Sequence, residues 1–389
     1  MGFFNKKKGK EQSWAKPEET AEPEKSRQPE VLVESRSPLC DIQAFVEEND
    51  TCVYFYLWWR PGSDRAQVKS CWVCNTKPAP DDPDKAAMDR GEAPRMPRSG
   101  CGHDPAGIRL DKKALSILWL EEGDAAALLE NGKILALIPG WAWREERFPG
   151  YARYAVGTTP FAWALQDAEA ALAPRVEKSQ AYWEAMEDYW KELQESRLAA
   201  LEAFFGGPHE QYYAIDGGKF PPKALVTGRR EGVRYGFTLG VSALCQPVVE
   251  QYWSQDPASH RRIELAFAAR EGIPEDRWMA ALGRISGMTN LPWGEITCLG
   301  QGHTVACGET FPGFPAVLLL DQRRLEGTAA PDFAPVMGEP VTLLWAVPIT
   351  QAEYDLAMES QEAVLPVLYQ GRPEELVVFA GEGKFLPDK

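Results

Sequence analysis

The stretch Val341-Thr-Leu-Leu-Trp-Ala-Val-Pro-Ile-Thr-Gln-Ala-Glu353 compresses three structural instructions into thirteen residues. Val341 to Val347 is a near-continuous apolar run, the pattern of a central strand covered on both faces. Pro348 is expected to close that strand. Thr350 and Glu353 then stand three apart, the spacing of a capping box, with Ile349 and Tyr354 placed as a hydrophobic staple, so a helix is predicted over Gln351 to Ser360. A buried strand followed at once by a capped helix calls for further strands and helices to pack against. The sequence upstream supplies them. Ala316 to Leu320 is a second continuous run. Tyr235-Gly-Phe-Thr-Leu-Gly-Val241 and Ile263-Glu-Leu-Ala-Phe267 alternate with period two, which predicts one buried face each. Pro274 to Ile285 has helical spacing, with Trp278, Leu282 and Ile285 inward.

Toward the N-terminus, Arg175 to Phe205 contains no Pro or Gly and sets Tyr182, Trp183, Met186, Tyr189, Trp190, Leu193, Leu198, Leu201 and Phe205 at spacings of three and four. This predicts a long amphipathic helix, punctuated by Pro174 and by Gly206-Gly207. Within residues 166–206 it is expected to connect two domains. Its near-heptad spacing leaves open a coiled-coil seam between two copies. Before it, residues 39–165 predict an α+β domain, with strands at Cys52 to Trp59, Val68 to Asn75, Leu115 to Leu120 and Ile134 to Ile138. Glu121 to Glu130 reads as helix, and Asp81 to Pro105 as a long surface excursion. Residues 1–38 carry Lys6, Lys7, Lys8 and Lys10, four prolines and few apolar side chains, which predicts a disordered charged tail. The expected architecture is α+β: two mixed-sheet domains, residues 39–165 and 207–389, joined by the helix.

Composition narrows the function. The chain has 389 residues, 57 Asp plus Glu against 42 Lys plus Arg, and a formal charge of -15. The deficit belongs to the folded parts: the tail is +8 and -7, residues 39–205 are +19 and -27, and residues 206–389 are +15 and -23. Such a chain lacks the surplus of Lys and Arg that phosphate binding needs, so nucleic acid is excluded as its main ligand. No run approaches the ~18 apolar residues of a membrane span. The start, MGFFNKKKGKEQ, has no apolar core of a secretory signal, so the cytoplasm is the expected compartment and the eight cysteines are expected to be thiols or metal ligands.

Two clusters could carry chemistry. Cys71-Trp-Val-Cys74 with Cys101-Gly-His103 offers three thiolates and an imidazole, a closed tetrahedral shell for zinc that would tie down the polar excursion. The other reading is buried thiols, because neighbours in a strand alternate faces. Cys298, His303 and Cys307 form a second cluster without a third orienting residue. Gly300, Gly302 and Gly308 around it point to a tight loop, with His303 fixing that loop or touching a partner. Walker A, GxGxxG, HExxH and GxSxG are absent from the sequence. No catalytic residue is assigned. Trp141 and Trp143 beside Arg144 and Arg147 have the composition of an interface hot spot.

Four pieces resemble the suppressor-of-fused domain family. They are Tyr235-Gly-Phe-Thr-Leu239, Ile263 to Phe267 with the helix around Trp278, Leu299-Gly-Gln-Gly-His-Thr304, and the block Val341 to Glu353. The resemblance runs from about Tyr235 to Pro387. It implies an α+β domain with a mixed sheet flanked by helices, used to hold another protein rather than for catalysis. In animals such domains restrain transcription factors of the hedgehog pathway with the help of an additional C-terminal domain. The chain stops at Lys389, just after the shared block, so that pathway is not implied. Bacterial proteins similar to this sequence are associated with polymorphic toxin systems as immunity proteins. The expected function is therefore non-enzymatic sequestration of a protein partner. A basic toxin domain is the partner an acidic surface would steer. Expected contacts are Trp293, Glu295, Gly302, His303, Thr304, Trp141, Trp143 and any exposed strand edge. Apart from the zinc alternative no cofactor is expected, and neither nucleic acid nor membrane is an expected partner. The expected state is a monomer or weak dimer. Two alternatives stand beside this reading: a metal-dependent sensor or enzyme built on Cys71, Cys74, Cys101 and His103, and a scaffold that dimerises through the 175–205 helix.

Overall fold

The computed structural model describes residues 29–142, 148–219, 221–308, 311–359 and 376–381. The first half holds two sheets. Strands β1 (Glu30–Arg36), β2 (Ile42–Glu48), β3 (Cys52–Trp59) and β4 (Gln67–Asn75) form an antiparallel meander. After the short helix α1 (Lys85–Asp89), β5 (Leu115–Trp119), β6 (Ala126–Glu130), β7 (Lys133–Ile138), β8 (Tyr151–Ala152) and β9 (Trp163–Ala164) form a second sheet in sequence order, antiparallel except for β8 with β9. Helix α2 (Glu169–Phe205) follows; at 37 residues it is about 55 Å long.

The second half is built on one eight-stranded mixed sheet. Its strands are β10 (Gln211–Ala214), β11 (Ala224–Arg230), β12 (Val233–Leu239), β13 (Arg262–Arg270), β14 (Thr304–Ala306), β15 (Ala316–Asp321), β16 (Val341–Ile349) and β17 (Val378–Phe379). The order is β10-β11-β12-β13-β16-β15-β14, with β17 beside the far end of β13. Pairing is antiparallel except where β13 meets β16 and β17. Among the described residues this half also holds the helices α3 (Ala258–Arg261), α4 (Glu275–Met288), α5 (Leu291–Glu295) and α6 (Gln351–Glu359). The chain is thus α+β with mixed sheets, as its sequence indicates.

β16 lies at the centre. Trp345 is fully buried against Tyr235 and Phe237, and its indole N–H donates to Gln322 Oε1 at 2.6 Å. The strand does not stop at Pro348 but runs on to Ile349. Pro348 stands opposite Val317, whose backbone groups alternate toward β14, so the proline nitrogen points to the side where the β13 ladder has already ended at Trp345. The capping box forms as expected: Glu353 Oε2 accepts from Thr350 N at 2.6 Å, and Thr350 Oγ1 accepts from Glu353 N at 3.4 Å. β12 and β13 are covered on both faces rather than one. Phe204 of α2 meets Tyr235 and Phe237 on one side, while on the other Trp278 of α4 packs on Phe267 and Leu282 fills the space above Gly236.

Other expectations need correction. The predicted tail over residues 1–38 ends earlier, because β1 begins at Glu30; residues 1–28 lie outside the described residues. Glu121 to Glu130 is a turn followed by β6, not a helix. Asn131 and Gly132, at φ 50° and 76°, close a tight β6–β7 hairpin, and its cross-strand register outweighs helical spacing. Helix α2 begins at Glu169, so Pro174 lies within it, and Gly206 at φ 75° caps its end.

The buried stripe of α2 is Leu172, Val176, Ser179, Tyr182, Met186, Trp190, Leu193, Arg197, Leu201 and Phe204. Leu172 and Val176 pack on residues of β6 and β7, whereas Tyr182 donates from its hydroxyl to Ala243 O at 2.9 Å and Trp190 closes on Gly240. Trp183 returns to the first half, its indole N–H on Trp119 O at 2.8 Å. One apolar cluster therefore runs through both halves, and the stripe a coiled-coil seam would need is spent inside the chain. Trp345→Ala is expected to cost about 3–5 kcal/mol, against about 1 kcal/mol for Thr350→Ala, read from urea unfolding midpoints.

Candidate functional site

The two halves meet around charge. β5 runs into the turn Glu121-Glu122-Gly123-Asp124, whose three carboxyl side chains belong to residues at most 3% exposed. Arg262, at the start of β13, is fully buried between two of the network's carboxylates. Its Nη2 donates to Glu121 at 2.8 Å, its Nε to Glu339 at 2.8 Å, and its Nη1 to the carbonyls of Ser242 and Ala243. Glu339 also accepts from Lys178 at 2.7 Å and Arg261 at 3.1 Å. Arg261 reaches Glu250 at 2.6 Å, and Arg175 joins Glu250 and Glu122. Burial works against ionisation of Glu339, but Arg262 and Lys178 outweigh it and hold the carboxyl at about 2. Glu121, Cys245 and Glu339 place ligand atoms within 4.8 Å of one another. Both carboxylates are committed to cations, and burial pushes the Cys245 thiol up, so this is an ion-pair joint rather than a metal seat.

A second feature lies at the sheet edge. The loop before β14 is clamped by Gln246, whose amide accepts from Leu299 N at 2.8 Å and donates to Leu299 O and His260 O. Gly300 lies flat against Trp253; a Cβ there would come within 2.4 Å of the indole. Trp253 stacks on His260 with ring centres 4.4 Å apart, and His303 lies 5.7 Å away on the same indole. His303 Nδ1 donates to Cys298 O at 3.2 Å, and burial lowers its pKa. Against β15, Leu319 N donates to His303 O and Cys307 N to Pro315 O. By the alternation of a strand, His303, Val305 and Cys307 face β15, whereas the N–H and C=O of Thr304 and Ala306 face outward. Beside them opens a cleft of about 330 Å³ lined by Leu291, Thr297 to Leu299 and His303 to Ala306.

Of the expected contact residues, Gly302, His303 and Thr304 meet at this edge, with Gly302 at φ 80° donating its N–H to Leu319 O at 2.8 Å. Trp293 does not. It is buried, with its indole N–H on Cys245 O at 2.8 Å and Lys223 over its ring. Glu295 is exposed at the junction of the halves and is held by Arg60 and Arg65, each at 3.3 Å. Trp141 is half-buried under Arg175, whose guanidinium lies 5.4 Å from its ring centre; Trp143 lies outside the described residues.

The proposed zinc ligands do not converge: among the described residues, Cys71, Cys74, Cys101 and His103 are not a group whose ligand atoms meet. His103 spends both nitrogens on backbone, Nε2 accepting from Asn75 N at 2.9 Å and Nδ1 donating to Asp104 O at 2.9 Å. Burial pushes the Cys71 and Cys74 thiols up, away from the thiolate a metal requires. The polar excursion is tied down by Asn75 instead. Its side chain accepts from Trp72 Nε1 and Met96 N and donates to Met96 O. Cys307 is likewise raised by burial, the opposite of an activated nucleophile. Sequence reasoning missed the charged joint and the Trp253 stack. Three carboxylates within Glu121 to Asp124 and the adjacent pair Arg261-Arg262 were the available signals.

Arg262→Met leaves Glu121 and Glu339 buried without their central partner and is expected to cost about 3–5 kcal/mol in urea unfolding. The acid limb has a definite sign. A carboxyl at about 2 in the folded state, against an ordinary 4.5, contributes stability that is complete above pH 4.5 and is lost as pH falls toward 2. Glu339→Gln is expected to flatten that limb in midpoints measured at pH 3, 4 and 7.

A search among curated proteins finds no match. Residues 217–373 match the family model described as Suppressor of fused protein (SUFU), a span that takes in β11 to β16 and with them both the Arg262 half of the joint and the β14 edge. Residues 217–373, and with them strands β11 to β16 of the large sheet, are thus similar to a suppressor-of-fused domain, and domains of that family bind protein partners.

Proposed function

We propose that this protein is a non-catalytic immunity protein that sequesters a toxin domain by taking a strand of that partner onto the outer edge of β14, which no strand pairs among the described residues. The observation that carries this reading is the outward ladder of Thr304 and Ala306 beside an open cleft: backbone donors and acceptors there can bind an extended segment, and the cleft can take alternate side chains. The suppressor-of-fused domain supports a protein partner. The charge of -15 favours a basic one, such as a nuclease domain, by steering its approach. Trp293 is left out of the contact surface, because its indole is consumed inside the fold.

The test is co-expression with a toxin encoded beside the gene. Growth rescue and a complex on size exclusion are expected; neither appearing sinks the proposal. Within such a complex Ala306→Pro removes an outward N–H that β15 does not use. The variant is expected to bind at least about tenfold more weakly while its unfolding midpoint stays close to that of the parent. Undiminished binding would place the partner elsewhere.

A further inference from the structure

Arg197, in the buried stripe of α2, departs from the rule by which this protein buries its cations. The residue is 1% exposed, yet its Nε, Nη1 and Nη2 all lack a hydrogen-bond partner among the described residues. Other interior cations are committed. Arg175 and Lys178 on the same helix, and Arg262 on β13, hold carboxylates, while Lys69 and Lys223 hold backbone carbonyls. A guanidinium does not shed its proton in a folded protein, so the donors of Arg197 persist at any working pH. The two groups that face it leave them unused. Glu264 acts on it electrostatically but makes no hydrogen bond to it, because its carboxylate is taken by neutral donors: Oε1 accepts from Gly240 N, Ser242 N and Ser242 Oγ, and Oε2 from Thr238 Oγ1. The ring of Phe333 lies 5.0 Å from the guanidinium carbon, a cation–π contact that supplies no lone pair.

We propose that Arg197 is the centre of an internal binding site for a compact monovalent anion, a halide or a one- or two-carbon carboxylate, held on the guanidinium N–H groups beneath α2. Three observations set that class. Unpartnered N–H groups on a fixed cation call for a ligand that brings lone pairs and negative charge, and charge-assisted bonds of this kind are the strong ones. The site is enclosed by α2, β13 and the Phe333 segment, so the ligand has few atoms. Glu264 already places one negative charge nearby, which disfavours a dianion such as phosphate or sulfate. Entry does not require the sheet to open. Ala329 to Pro335, which carries Phe333 and two prolines, makes no backbone hydrogen bond among the described residues, so it can lift without breaking a ladder. The site is separate from the β14 edge and does not depend on the function proposed for that edge.

Thermal unfolding of the full chain in bromide, formate or acetate reads occupancy, with bulky gluconate making up a constant ionic strength. Above the dissociation constant, each tenfold rise in a bound anion is expected to lift the midpoint by about 2 °C. Arg197→Met keeps an unbranched side chain without its donors, and its midpoint should lack that response; taking parent minus variant cancels general salt effects. Crystals of the parent equilibrated with bromide or with formate need no variant, so the test survives if Arg197→Met does not fold. The anomalous signal of bromide, or the planar density of formate, should lie within hydrogen-bond reach of the Arg197 nitrogens, and the two arms tell a halide site from a carboxylate site. A parent midpoint indifferent to all three anions, an equal response in Arg197→Met, or crystals that show only water beside Arg197 in both anions would overturn the proposal.

Discussion

Burying the Arg262 guanidinium is the constraint on which the rest of the structure depends. Stripping water from a cation costs several kcal/mol, and the cost is offset only when every N–H finds an acceptor. Arg262 finds them in three separated stretches: Glu121 in the first half, Ser242 and Ala243 after β12, and Glu339 before β16. None of these is a sequence neighbour of Arg262. The joint is therefore complete only when both halves and α2 are assembled. It also fixes the centre of the large sheet, since Arg262 pairs with Val341, two residues beyond Glu339, and so sets the register of the parallel β13–β16 ladder. An apolar seam can slide; a satisfied ionic network has one geometry.

What was legible in the sequence was what is local. The run Val341 to Val347 and the Thr350–Glu353 box need only near neighbours to act, and both formed. Pro348 was misjudged because its place depends on which way Val317 faces, a fact of the β14–β15 register. The alternation in β12 and β13 suggested a half-buried sheet, yet α2 and α4 cover both faces. Glu121 to Glu130 fits helical spacing as well as it fits a turn and strand, and the Asn131-Gly132 hairpin decided between them.

The candidate site divides along the same line. Gly300, Gly302 and His303 announced a tight loop, and the loop is there. Trp293 did not announce that it is core, because an indole on an interface and an indole on Cys245 O look alike in a sequence. The Cys71, Cys74, Cys101 and His103 spacing suited zinc, but ligand spacing says nothing of competing partners, and His103 has both nitrogens engaged. The ionic joint was the least legible part: its members are scattered from Glu121 to Glu339, and each alone reads as a solvated charge.

The β14 edge proposed to take the partner's strand is poorly suited to pairing with a second copy of itself. It is three residues long, with two residues facing outward, and short edges offer little ladder for a second copy. Two copies approaching edge to edge would each bring a net charge of -15, which opposes the encounter. The partner proposed for this edge would supply what a second copy lacks, an extended segment carried on a surface of opposite charge. The features that make the edge poor at self-association are the same ones that would make it selective.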